Sequence, residues 1–120
     1  MQKIVVNKGS CLFLLSHKAY KKFLSYEYRA QTGKDIGSRI NYIDIDSLMI
    51  AKKMSHTKRD NPNLVRVIEE MGEDANAFFT KLKIVEIPDG LKWEIKNVDN
   101  TDEVFVEGVE IKRFFKDIKI

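Results

Sequence analysis

The apolar positions mark out most of the elements in this chain. Gln2 to Asn7 (QKIVVN) is β-branched and apolar in its middle, which predicts a first strand, central in its sheet. Lys8 to Phe13 is a connection carrying Gly9, Ser10 and Cys11. Ser16 has the chemistry of an N-cap, so a helix is predicted from His17 to about Gln31, with Gly33 as its stop. Ala19, Tyr20, Phe23 and Leu24 fall on one face of it at helical spacing; Lys18, Lys21 and Lys22 fall on the other. Asn41 to Asp46 alternates, which predicts a second strand with Ile43 and Ile45 inward. Ser47 to Met54 fits either a strand continuation or a short helix.

Asp60-Asn61-Pro62 is a helix start, with a capping side chain followed by proline at the first helical position. Leu64, Val65, Ile68 and Met71 form its buried stripe, and Gly72 ends it; Glu73 to Phe79 adds a further helical turn. The strongest local signal is Lys81 to Val98 (KLKIVEIPDGLKWEIKNV). Leu82, Ile84 and Ile87 form one apolar run, Trp93 and Ile95 another, and Pro88-Asp89-Gly90 between them has turn chemistry at each position. A β-hairpin is predicted there. Asp99 to Asp102 reads as a second turn, and Glu103 to Val106 as a third antiparallel strand. Glu107-Gly108 is a further turn, and Ile111, Phe114, Phe115 and Ile118 give the tail helical spacing.

Composition places these elements in one domain, residues 1–120. The chain is 43% hydrophobic and 32% charged, in the range of soluble globular proteins. No apolar run approaches the roughly 18 residues of a membrane span. Met1-Gln2-Lys3-Ile4 runs straight into the first strand without signal-peptide anatomy, and Cys11 is the single cysteine. A cytoplasmic protein is expected. The net charge of +3 is small, but it is unevenly spread. Residues 1–60 carry 12 Lys/Arg against 5 Asp/Glu, and residues 61–120 carry 9 against 13. Such asymmetry suits a basic face for an anionic ligand, or self-association between unlike faces; solvated surface charge accounts for it equally simply.

Candidate chemistry is sparse. Cys11 and His17 lack a third orienting group, and two histidines and one cysteine do not give metal-ligand spacing. No phosphate-binding glycine motif is present, and Gly9 stands alone after the first strand. Asp44 and Asp46 would share a strand face, the ordinary result of alternation around Ile45. Trp93 belongs to the apolar face of the hairpin. Lys52, Lys53, His56, Lys58 and Arg59 form the densest basic segment, but no aromatic residue is interleaved, which argues against nucleic acid as the main partner. No catalytic residue, metal site or cofactor is expected.

Several segments together resemble a family of small uncharacterised proteins encoded by bacteriophages and prophages. They are IVVNK at Ile4–Lys8, then Phe13, Leu15-Ser16-His17 and Ala19, RDNPNLVRVIEEMGEDAN at Arg59–Asn76, and KLKIVEIPDGLKWEI at Lys81–Ile95. Together they span about two-thirds of the chain, leaving residues 34–58 and the tail outside. Relatives carry a Cys-aromatic-Gly-Gly-Phe-Gly stretch where this chain has Gly9, Ser10, Cys11, Leu12, Phe13 and Leu14, so most of those glycines are missing. They also end in a basic His-Arg segment where this chain has Glu107-Gly108-Val109-Glu110.

The resemblance implies a non-enzymatic phage accessory protein, active inside the bacterial host, that binds a host-derived target. One version is a counter-defence protein that sequesters a nucleotide-type signal. Its candidate ligand-binding residues are Lys8, Phe13, Ser16, His17, Arg59 and Asp60, at two helix starts suited to a phosphorylated ligand. Capping alone also accounts for Ser16 and Asp60. The alternatives are a protein-interaction module that inhibits a host protein and a nucleic-acid binder using residues 52–59; a homo-oligomer is compatible with each. The expected fold class is α+β, an antiparallel sheet of four to six strands with two main helices on one face.

Overall fold

A computed structural model describes residues 1–9, 12–43, 45–99 and 101–107, and the protein is a mixture of helix and antiparallel sheet. Strand β1 covers Gln2–Asn7, the span of the β-branched run. Helix α1 (His17–Thr32) begins at Ser16, whose side chain accepts from the Ala19 N–H, and ends at Gly33 in the left-handed region, at φ 73°. Helix α3 (Pro62–Met71) is capped by Asn61, which accepts from the N–H groups of Asn63 and Leu64, and buries Leu64, Val65, Val67 and Ile68. Asp60 is therefore not the cap. The helical turn expected after Gly72 is a 3-10 turn over Gly72–Ala75.

Among the described residues of Asn41–Asp46 the expected strand does not form. Residues Gly37–Tyr42 make a 3-10 turn, and helix α2 follows at Ser47–Ser55, which decides the ambiguity at Ser47–Met54 for helix. Asp46 is the physical reason: its carboxylate accepts from the Met49 N–H at 2.8 Å and caps α2, so its place in the alternation is incidental. Ile45 still packs inward, against the helical core. Asp44 lies outside the described residues.

Strand β2 covers Leu82–Ile87, β3 Trp93–Val98 and β4 Thr101–Val106. The turn between β2 and β3 forms as expected, with Gly90 at φ 83° and the Leu91 N–H donating to the Pro88 carbonyl. The two strands flanking it do not pair with each other. Instead β2 pairs antiparallel with β1, Ile4 opposite Val85, while β3 pairs with β4, Trp93 opposite Val106. The described strands thus form two two-stranded sheets where a single sheet is predicted. Gln2 fixes the change of sheet: its amide donates to the carbonyls of Pro88 and Leu91 and accepts from Trp93 Nε1.

The β1–β2 sheet lies between two cores. Val5, Leu82 and Ile84 face the helices, packing with Leu15, Tyr20, Phe23, Ile50, Met54 and Leu64. Ile4, Val6, Val85 and Ile87 face the β3–β4 hairpin, packing with Val104, Val106 and, at the margin, Trp93 and Ile95. Burial on both faces explains the unbroken apolar run of β1. Among the described residues the strand is not central, because only one of its edges carries a strand partner. The helically spaced tail at Ile111–Ile118 lies outside the described residues.

Candidate functional site

The second edge of β1 is where three of the candidate residues meet. The Val5 N–H donates to the Arg59 carbonyl at 2.9 Å, and Arg59 Nη1 returns a bond to the Val5 carbonyl at 3.1 Å. The Asn7 N–H donates to the Asp102 carboxylate at 2.8 Å, and the same oxygen accepts from Arg59 Nη1 at 2.6 Å. Phe13 lies against the other side of this guanidinium, 3.8 Å from its ring centroid. Lys8 Nζ donates to the Asp102 carbonyl at 2.6 Å and sits 3.7 Å from Glu103. Lys8, Phe13 and Arg59 are thus brought together, around an acidic residue that no local signal distinguishes from a turn position. With side-chain exposures of 20% for Arg59 and 8% for Asp102, the pair seals an edge that would otherwise show open backbone groups.

Ser16, His17 and Asp60 have other partners. Ser16 caps α1 and donates its hydroxyl to the Asp74 carbonyl at 2.8 Å. His17 is exposed, with Nε2 3.5 Å from Ser47 Oγ. Asp60 is exposed beside an open cleft lined by Phe23, Glu27, His56 and Lys58. In the basic segment Lys52, Lys53, His56 and Lys58 are exposed, whereas Arg59 turns inward to β1.

A feature missed in the sequence adjoins Lys8. Phe78 and Phe79 are 79% and 63% exposed and lie against each other, with ring centroids 4.1 Å apart. The turn that carries them is fixed from both sides. Thr80 closes it by bonding Ala77 through backbone and hydroxyl, and Phe79 takes φ 66°. Gly9 packs against the turn so closely that a Cβ there would lie 2.2 Å from the Phe79 carbonyl oxygen. Lys8, Gly9, Phe79, Thr80, Lys81 and Thr101 line a shallow cleft at its base. The helical turn expected to reach Phe79 stops at Ala75, which leaves two adjacent aromatics in a connection with no period to bury them.

A charged cluster clamps α1 to α3. The Tyr26 hydroxyl donates to Glu70, Lys22 Nζ lies 3.3 Å from the same carboxylate, and Arg66 stacks over the Tyr26 ring at 4.1 Å. The Tyr26 hydroxyl holds the Glu70 carboxyl below its ordinary value, helped by Lys22, while burial pushes the Tyr26 phenol up, helped by Glu70. Among the described residues no helix is long and apolar enough to cross a membrane. No family model, curated protein or solved structure matches the chain.

Proposed function

We propose that this chain is a non-enzymatic accessory protein of a bacteriophage or prophage that acts by binding a host-derived protein. The phage assignment rests on the resemblance of Arg59–Asn76 and Lys81–Ile95. The binding mode rests on one observation: Phe78 and Phe79 stand exposed on a turn braced by Gly9 and Thr80. Exposed aromatics held in one conformation lose little freedom on contact and make strong anchors for a protein partner. Inhibition of the host protein would follow from occupying its surface.

A second target class, a nucleotide-type signal, is favoured by the cleft below the same turn. Lys81 would face the phosphates there, with Phe79 available for stacking, while Lys8 lines the same cleft with its ammonium held by the Asp102 carbonyl and Glu103. Arg59 is unsuited to that task, because its guanidinium is already shared among Val5, Asp102 and Phe13.

Native mass spectrometry of the protein purified from infected bacteria separates the two. Retention of a host protein that Phe78→Ser/Phe79→Ser abolishes and Lys8→Ala/Lys81→Ala preserves supports the protein target. A nucleotide released on denaturation, and absent from the lysine variant, supports the signal. A bare chain mass from cells in which the protein is active overturns both.

A further inference from the structure

Strand β3 has one edge on β4 and a second edge that no described residue covers. The Glu107 N–H donates to the Lys92 carbonyl at 3.0 Å, and the register sets Glu94 opposite Phe105 and Lys96 opposite Glu103. In an antiparallel ladder the backbone groups of alternate residues point to the same edge. Those of Glu94, Lys96 and Val98 therefore point to β4, and those of Trp93, Ile95 and Asn97 point to the open edge. Among the described residues nothing hydrogen-bonds to the backbone of these three.

We propose that this edge is a homodimer interface in which β3 pairs antiparallel with β3 of a second copy, about a two-fold axis at Ile95. Charge selects both the partner and the register. Glu94 and Lys96 lie on one face of the strand, 3.2 Å apart, with side chains 62% and 60% exposed. Only registers that oppose outward-pointing residues build a ladder. Centred on Ile95, the pairing puts Glu94 opposite the partner's Lys96 and Lys96 opposite the partner's Glu94, at the close spacing of non-hydrogen-bonded positions. Slipping one strand by two residues in either direction sets Glu94 against the partner's Glu94, or Lys96 against the partner's Lys96. A segment that complements itself under a two-fold rotation is what an isologous dimer requires. The opposite face agrees: Ile95 meets the partner's Ile95 beside two half-buried tryptophans. The two hairpins would join into one four-stranded antiparallel sheet.

Sedimentation velocity of the full chain over a concentration series tests this, with circular dichroism to verify folding of each variant. The expected result is a reversible dimer. Glu94→Lys or Lys96→Glu alone places like charges opposite each other at two symmetric positions and should raise the dissociation constant on the order of tenfold. The double exchange Glu94→Lys/Lys96→Glu restores opposite charges and should return dimerisation to near its starting value. Asn97→Pro removes an outward N–H without touching the β3–β4 ladder and should leave a folded monomer. A chain that is monomeric at every concentration overturns the proposal. So does an assembly insensitive to the single reversals, or a double exchange that fails to restore what they lose.

Discussion

Asp102 accepts through one carboxylate oxygen from Asn7 at one end of the chain and from Arg59 in its middle, and its carbonyl accepts from Lys8. Each of these bonds satisfies a group near the open edge of β1, so the residue acts through the strand it covers. Removing it takes the carboxylate partner away from a guanidinium at 20% exposure and from the backbone N–H of Asn7, a residue only 2% exposed. Asp102→Ala should therefore destabilise the protein by about 2–4 kcal/mol, and Arg59→Ala by a similar amount. Lys8→Ala, which breaks a more exposed and longer ion pair, should cost about 1 kcal/mol or less. Urea denaturation of the three variants checks this ordering. If Arg59→Ala proves as mild as Lys8→Ala, the guanidinium is not what secures the edge.

Between elements, the α1–α3 clamp carries a pH signature. Glu70 titrates below its ordinary value of 4.5 when folded, with the Tyr26 hydroxyl the largest cause. A depressed carboxylate contributes stability that is present above its unfolded value and is lost as pH falls through its folded value. Tyr26→Phe removes that cause while keeping the ring under Arg66. The melting temperature of Tyr26→Phe should lie below the parent at neutral pH, and the gap should start to close near pH 4.5 and vanish once the pH has fallen through the lower folded value. A gap that persists unchanged into strong acid would assign the difference to packing. Elements fixed by such local chemistry were the legible ones. Ser16 and Gly33 bound α1 and Asn61-Pro62 starts α3, because capping requires only neighbouring residues. Strand pairing was not legible in the same way. Pro88-Asp89-Gly90 specifies a reversal, but it does not specify whether β2 finds β3 or β1, and long-range burial of Ile4 and Val6 decides that. The candidate site follows the same division. Nothing near Lys8, Phe13 or Arg59 announces that they converge, and Asp102 was hidden within a turn signal.

Across the whole molecule, a thin central sheet separates a helical core from a hairpin core, and the surface features fall outside both. The Phe78–Phe79 turn and the edge of β3 that no described residue covers are carried by the connection before β2 and by the strand after the turn, so the proposed host target and the proposed second copy need not compete for the same residues. The placement of β1 also has a consequence for how the chain assembles in time. Gln2 pairs with Ile87, and Asn7 bonds Asp102, so β1 completes its contacts only after β2 and β4 have been made. Closing so long a loop is entropically slow, whereas α1 and α3 form from neighbours in sequence. Refolding followed by far-ultraviolet circular dichroism should therefore run ahead of burial followed by Trp93 fluorescence; coincident phases would mean that sheet and helices form together. During synthesis Ile4, Val5 and Val6 must wait unburied on the nascent chain until β2 and β4 follow, an adhesive surface and a natural point of capture for a chaperone.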